Sequence, residues 1–183
     1  IQLLLEDRYV DLIEDQVDLA IRITEKPHDG LMGRKLLEID HVICATPEYL
    51  SRFGTPQHPH DLKEHQCIYL GEQAIDSKWK FQQGNKNLSV HVKGRYAANH
   101  TGVRLDAALQ HLGIASLPFF VANKAMKNKQ LIQVLPNWYF KTYYSGGAWL
   151  LYPATKHLPP KLKVLIEFLA QKLAQEPTLL RPD

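Results

Sequence analysis

Continuous and alternating runs of apolar residues predict the strands of this chain. Residues 17–23 are apolar enough for a buried strand and end at the turn-rich segment 24–30. A longer apolar run, 36–46, is stopped by Pro47 at the first position of a predicted helix, 47–53. Residues 88–93 alternate apolar and polar, as a half-buried strand does. Further strands are predicted at 1–5, 67–71, 77–83, 87–99, 114–117, 131–135 and 148–152.

Apolar residues spaced three and four apart predict the helices. In 102–113 the stripe contains Leu105, Ala108, Leu109 and Leu112, and Gly113 is predicted to follow the C-terminus of the helix. Pro118 begins a second helix, 119–129, and 159–174 is the clearest helix of all. Shorter helices are predicted at 9–16 and 61–65. Strands that alternate with helices predict an α/β fold whose sheet is covered on both faces.

Composition narrows the class of protein without naming it. The chain has 183 residues, 45% hydrophobic and 22% charged, which is typical of a globular protein. It contains no apolar run of the roughly 18 residues needed to span a membrane. The opening is strand-like and lacks both a basic signal region and a methionine, so we expect the chain to begin within a domain. A formal net charge of +3 gives no electrostatic reason to expect DNA binding by this chain.

Few patterns in the chain are typical of catalysis. The glycines match neither the GxGxxG nor the GxxxxGK spacing, and no serine stands in a GxSxG turn. Four acidic residues gather near the N-terminus, where a solvated or subunit-facing surface is favoured over acid–base catalysis: Asp7, Asp11, Glu14 and Asp15. We therefore expect neither an enzyme nor a bound cofactor.

The segment 58–67 (HPHDLKEHQC) is the nearest approach to a metal site. It offers His58, His60, His65 and Cys67. Zinc ligands usually come in CxxC or HxxxH pairs, and Pro59 interrupts this run. Surface histidines are the favoured interpretation, and no metal is expected. Cys67 and the chain's other cysteine, Cys44, lie in apolar stretches and are predicted to be buried free thiols.

The best candidate binding feature is the segment Asn99, His100, Thr101 and Gly102, which follows a predicted strand and begins a helix. Asn99 or Thr101 can cap that helix, and the free N–H groups of its first turn suit an anion or carboxylate. Simple capping without a ligand is the open alternative. Other strand ends, where ligands collect in α/β sheets, lie at 23–24 and at 118–120.

Five stretches, taken together, resemble the effector domain of LysR-type transcription regulators, and they occur in the order found in that family. They are DRYVDLIEDQVDLAIRI (7–23), CATPEYLSRFGTP (44–56), DLKEHQCI (61–68), GIASLPFFVA (113–122) and LLYPATKHLPPKLKVLIEFLAQKL (150–173). The resemblance implies a type 2 periplasmic-binding-protein-like fold, two α/β lobes around a central cleft. Lobe one would comprise 1–44 and 139–183, and lobe two 45–138.

By position, the resemblance implies six effector-binding residues: Thr24, Asn99, His100, Thr101, Pro118 and, more loosely, Phe119. It implies a cytoplasmic sensor of a small molecule, a carboxylate among the candidates, that controls DNA binding by an N-terminal helix-turn-helix absent from this sequence. By the same comparison we expect lobe one to lack the family's first strand and helix. A stand-alone solute-binding protein of the same fold is the alternative, and an enzyme on that fold is a more distant one.

The resemblance also implies a homodimer or tetramer in which lobes of neighbouring subunits pair. Lobe one carries a formal charge of −2 and lobe two +5. Opposite charges of this kind favour pairing of unlike lobes. An ordinary solvated surface is the alternative explanation for the distribution.

Overall fold

The computed structural model describes residues 1–5, 10–24, 26–27, 30–142, 144–155 and 158–176. In this part of the chain the strands are β1 (Ala20–Thr24), β2 (Leu31–Ile39), β3 (His41–Ala45), β4 (Cys67–Ile68), β5 (Lys78–Gln83), β6 (Lys86–His91), β7 (Ile114–Pro118), β8 (Ile132–Gln133), β9 (Tyr139–Lys141) and β10 (Gly146–Pro153). The α-helices are α1 (Pro47–Phe53), α2 (Thr101–Leu109), α3 (Phe119–Lys127) and α4 (Pro160–Ala174). Short 3₁₀ helices lie at Pro59–Glu64 and Ala74–Ser77.

The chain folds into two compact units. Unit 1 comprises Ile1–Glu38 and 146–176, and unit 2 comprises Ile39–Ser145. Unit 1 is built on a three-stranded sheet of order β1-β10-β2, in which β1 and β10 are antiparallel. Its buried apolar residues are Leu12 and residues of β10 and of one face of α4: Ala148, Leu150, Leu151, Leu162, Ile166 and Ala170.

Unit 2 contains two sheets and two separate apolar cores. The four-stranded sheet has the order β4-β7-β3-β8, with β7 antiparallel to β3 and parallel to β4. The second sheet, β6-β5-β9, is antiparallel. One core holds Ile43, Trp79, Phe81, Val90, Ile114 and Phe140, and the other holds Val42, Cys44, Ala108, Leu117 and Ala122. Because alternate residues of β3 belong to different cores, this strand is buried on both faces.

The predicted lobes, 1–44 with 139–183 and 45–138, stay predictions. The strands β3 and β9, which lie next to those predicted boundaries, both belong to unit 2. The predicted strand at 36–46 is interrupted at Asp40, which separates β2 from β3. The Asp40 carbonyl leaves the strand pattern and accepts a hydrogen bond from the N–H of Phe119, 2.8 Å away.

Two predictions near the N-terminus are wrong. Residues 1–5 form no strand and expose their apolar side chains, since no described strand pairs with them. The helix predicted at 9–16 is a single turn over 12–16, with Tyr9 outside the described residues. The Asp11 carboxylate accepts from the N–H groups of Ile13 and Glu14 at 2.8 and 3.0 Å, which stabilises a turn in place of a longer helix.

The C-terminus of α2 also differs from the prediction. His111, with φ 62°, is the left-handed residue after the helix, and Gly113 is not. The N–H of His111 donates to Ala108 and the N–H of Leu112 donates to Ala107, a Schellman motif. Gly113 has a different role, because a Cβ there would lie 2.4 Å from the carbonyl oxygen of Gln66.

Candidate functional site

The N-terminus of α2 lies at the predicted anion site, and its capping residue differs from the prediction. His100 is the N-cap, in place of Asn99 or Thr101, and its ring Nδ1 accepts a hydrogen bond from the N–H of Val103 at 3.3 Å. A Cβ on Gly102 would lie 3.0 Å from the His100 ring, so glycine gives the ring the room to fold back over the first turn. Asn99 and His100 are exposed and Thr101 is half-buried, so this end of the helix is accessible.

Arg104, in the first turn of α2, is buried, with only 4% of its surface exposed. Its Nη1 donates to the carbonyl oxygen of Ser116 at 2.9 Å and lies 3.3 Å from the Ser116 hydroxyl. Its Nε is buried and has no hydrogen-bond partner among the described residues. Buried guanidinium groups are normally paired with acceptors on every side, so this side chain has unused donor capacity.

His41 is a second buried polar residue, at the start of β3 and directly across from Pro118 on β7. Its ring Nδ1 lies 3.5 Å from the Ser145 hydroxyl, and only 6% of the residue is exposed. Burial, together with the positive charge of Arg104, lowers the pKa of His41 to about 3. The imidazole is therefore neutral at physiological pH and adds no second positive charge beside Arg104.

Two carboxylates, Glu72 and Asp76, act on Arg104 without forming an ion pair with it among the described residues. Burial lowers the pKa of Arg104, and the negative charges of Asp76 and Glu72 oppose that effect. Glu72 accepts a hydrogen bond from the Tyr144 hydroxyl at 2.6 Å. One oxygen of Asp76 accepts from the N–H groups of Glu72 and Gln73 at 2.8 and 2.9 Å. Both carboxylates therefore act on Arg104 through their charge, and neither accepts a hydrogen bond from its Nε.

Three further residues were predicted to bind the effector. Pro118 and Phe119 are buried, and Thr24 belongs to unit 1. The side chain of Phe119 belongs to the core beside α2 and α3. Thr24 ends β1 in unit 1, where its hydroxyl donates to the carbonyl of Lys26 and its own carbonyl accepts from the Trp149 indole N–H, both at 3.0 Å. Asn99, His100 and Thr101 lie together at the start of α2.

Three polar residues of this region were not predicted from the sequence: Arg104, Ser116 and His41. Arg104 shares a helical face with Ala107 and Ala108, which are buried at three- and four-residue spacing from it. An arginine on an apolar face was the available signal. The buried His41 and Ser116 lie in otherwise apolar strands, where a single polar residue has no periodicity to reveal it.

A second polar cluster lies at the other end of α2. Thr46, the N-cap of α1, lies 2.7 Å from His111 Nδ1, and His111 Nε2 lies 3.1 Å from the Glu48 carboxylate. These residues line an open depression with Pro47, Leu109 and Gln130. Glu48 also pairs with Arg52 of α1, and contacts of this kind are typical of a structural link between α1 and α2.

The histidine-rich segment forms no metal site in the described chain, where no group of three or more metal-binding side chains is found. The expectation of surface histidines is wrong for His65, which is buried and lies 3.3 Å from the Tyr49 hydroxyl. His58 instead caps the 3₁₀ helix that starts at Pro59. Cys44 and Cys67 are free and buried, as predicted.

Comparison with known proteins identifies the family. The model of the LysR substrate binding domain matches residues 1–174, so the chain belongs to this family. The probable HTH-type transcriptional regulator LtrA of Klebsiella pneumoniae is 52% identical over 167 residues, 91% of this chain and 54% of that protein. The HTH-type transcriptional regulator PtxR of Pseudomonas aeruginosa is 30% identical over 179 residues, 97% of this chain and 56% of that protein.

Solved structures agree with this assignment. CrgA, a LysR-type transcriptional regulator from Neisseria meningitidis, matches with a TM-score of 0.81 and 26% identity over 93% of this chain and 57% of CrgA. The predicted type 2 periplasmic-binding-protein-like α/β fold is thereby confirmed. The chain spans about half the length of the curated relatives it matches. Within the described residues, no helix is long and apolar enough to cross a membrane.

Proposed function

We propose that this chain is the effector-sensing part of a transcription regulator whose DNA-binding helix-turn-helix lies outside the given sequence. The match to the LysR substrate binding domain over 1–174 carries this proposal. The relatives LtrA and PtxR are named as HTH-type transcriptional regulators, which supports it. A regulator of this kind works in the cytoplasm, where the DNA is.

The proposed effector site is centred on the accessible N-terminus of α2. It uses Asn99, His100 and Thr101, with Pro118 at the adjacent end of β7. The ring of Phe119 is buried in the core, so we expect it to support the site by packing and not by touching the effector. Thr24, in unit 1, stays a prediction from the family resemblance. A small molecule bound here changes DNA binding only as far as it prefers one conformation of the regulator over another.

We also propose that the regulator is a homodimer or tetramer in which oppositely charged regions of neighbouring subunits pair. The acidic turn near residue 14 carries exposed carboxylates and is the place to test this. Glu14→Lys is preferable to a change at Asp11, whose carboxylate caps the turn. We expect Glu14→Lys to weaken association, as measured by sedimentation. Unchanged association in the variant would contradict the charge-pairing hypothesis.

A thermal-shift screen of small organic acids and aromatic compounds tests the sensing function. A ligand that binds only the folded state raises the unfolding midpoint with concentration. Thr101→Val keeps the side-chain shape but removes the hydroxyl, and we expect it to reduce the shift given by any compound that binds at α2. A substitution at an exposed lysine of α3, Lys127→Gln, is the control and should keep the shift.

The alternative, a stand-alone solute-binding protein of the same fold, makes a different prediction. The gene would then encode a signal peptide upstream of Ile1, whereas the regulator encodes a helix-turn-helix there. An enzyme on this fold would convert a compound that the screen finds, and product analysis after incubation would detect the conversion.

A further inference from the structure

The guanidinium of Arg104 is a buried cation with an incomplete set of partners. An arginine guanidinium keeps its proton in proteins, so this group carries a positive charge. Nη1 is used by Ser116, whereas Nε has no acceptor among the described residues. A buried donor without a partner destabilises the folded state, even where the charges of Asp76 and Glu72 compensate the positive charge. The fold therefore keeps this group at a cost that its contacts with Ser116 do not explain.

Within the described part of the chain, the neighbours of Arg104 do not supply the missing acceptor. Glu72 is engaged by the Tyr144 hydroxyl, and Asp76 accepts two backbone N–H groups. His41, whose pKa the charge of Arg104 helps to lower, is a neutral imidazole with its Nδ1 3.5 Å from the Ser145 hydroxyl. Arg104 also lies in the first turn of α2, at the positive end of the helix dipole, where Thr101 and Gly102 are only half-buried.

We propose that Arg104 is the specificity-determining residue of the effector site, and that it selects an effector carrying a carboxylate. The carboxylate would accept from Nε of Arg104, with the N–H groups of the first turn of α2 and the Ser116 hydroxyl as additional donors. Guanidinium and carboxylate match in shape and form charge-assisted hydrogen bonds, which are stronger than neutral ones. This inference rests on the proposed sensing function and names the chemical class of the ligand.

Thermal unfolding and calorimetric titration with matched acids and amides test the inference on the 183-residue chain. The probes are sodium acetate, succinate and benzoate, each paired with its uncharged amide and measured at equal ionic strength. We expect at least one acid to raise the unfolding midpoint, while its amide does not. An equal effect of acid and amide, or no effect of any acid, overturns the carboxylate inference.

Variants then assign the effect to Arg104. Arg104→Met should weaken binding of the acid about tenfold to a hundredfold, because the lost charge-assisted bonds are worth that much. Arg104→Lys keeps the charge but loses Nε, so its binding should be intermediate. Lys127→Gln removes one positive charge from the surface of α3 and should bind like wild type. Unchanged binding in Arg104→Met overturns the proposal.

Two readouts separate a ligand role from a purely structural one. In the ligand-free chain Arg104→Met removes a buried unpaired donor but also the buried bond from Nη1 to Ser116. Its binding of the acid is therefore measured at a temperature at which the variant is folded, and loss of binding there is an effect on the ligand and not on folding. If that variant does not fold, NMR titration of the wild-type chain tests the role of Arg104 in binding. The ¹⁵N resonance of Arg104 Nε should shift during titration with the stabilising acid, and an unmoved Nε resonance overturns the proposal.

The same measurements distinguish failure of this inference from failure of the sensing function. Stabilisation by a neutral compound that depends on Thr101, with no effect of acids, leaves the sensing function standing and overturns the carboxylate inference. If the full-length regulator responds to no compound at its promoter, the sensing function itself falls, and the carboxylate inference falls with it.

Discussion

Acid should destabilise this domain through His41, and the structure gives the size of the effect. A histidine in the unfolded chain has a pKa near 6.5, whereas burial and the Arg104 cation lower the pKa of His41 in the folded chain to about 3. Between these values the unfolded chain binds a proton that the folded chain does not. The contribution of the neutral His41 to the free energy of unfolding is therefore fully present above the unfolded pKa of about 6.5. It decreases as the pH falls from there toward 3.

The expected loss follows from the two pKa values. At about pH 5.5 a single histidine of this kind lowers the free energy of unfolding by about 1.4 kcal/mol relative to neutral pH, and at about pH 4.5 by about 2.7 kcal/mol. His41 is 6% exposed, so solvent screening does not reduce these values much. His41→Asn replaces the imidazole with a group that does not titrate and that can still reach toward the Ser145 hydroxyl.

Urea unfolding of wild type and His41→Asn near pH 7.5 and near pH 5.5 measures the contribution. The wild type should lose about 1.4 kcal/mol more than the variant over this interval. His91→Asn, at an exposed histidine of β6, controls for the loss of one histidine and should behave like wild type. If His41→Asn and wild type lose the same free energy, the imidazole is not held neutral by burial and by Arg104, and the reasoning fails.

Three further predictions concern packing and reactivity in unit 2. Gly113→Ala should lower the free energy of unfolding by about 1–3 kcal/mol or more in urea unfolding, because its Cβ would meet the Gln66 carbonyl at 2.4 Å; a neutral result would contradict the close approach of β7 to that carbonyl. Tyr49→Phe should cost about 1–3 kcal/mol in the same assay, since the hydroxyl accepts from the Gln66 N–H at 3.0 Å in a buried site; an unchanged midpoint would argue against that bond. Burial raises the pKa of both Cys44 and Cys67 to about 12, so Ellman's reagent should modify neither thiol in the folded chain and both after unfolding; rapid modification of the native chain would contradict their burial.

Strong periodicity made much of unit 2 predictable. In β6 and just beyond it, Val90 and Val92 are buried and Ser89, His91 and Lys93 are exposed, as their alternation predicted. Pro47 and Pro118 mark the starts of α1 and α3. These signals are local, because each follows from the backbone preference of one residue or from the side-chain period of one element.

The errors arose where tertiary contacts decide the structure. The apolar run at 1–5 has strand composition, but a strand needs a partner, and none of the described strands pairs with it. His100 caps α2 because its ring folds back over Gly102, a contact that N-cap preferences do not anticipate. A left-handed His111 took the place expected for a glycine, and its ring reaches Thr46 and Glu48.

The position of the candidate site, at the start of α2, was predictable from the sequence. The buried polar side chains around it were not. Asn99, His100 and Thr101 follow from the strand-to-helix pattern. Arg104 does not, because an arginine in a helix is usually solvated, and only the packing of α2 against β7 buries this one. Its unpaired Nε is a property of three-dimensional surroundings that no residue pattern contains.

The most direct test of the proposed effector site is a promoter reporter driven by the full-length regulator. The acid that best stabilises the isolated chain is added, and the response is compared between four proteins: wild type, Thr101→Val, Arg104→Met and Lys127→Gln. We expect wild type and Lys127→Gln to change reporter expression with acid concentration. Thr101→Val should respond more weakly, and Arg104→Met only at much higher concentration. A response of Arg104→Met and Thr101→Val equal to that of wild type would contradict an effector site at the N-terminus of α2.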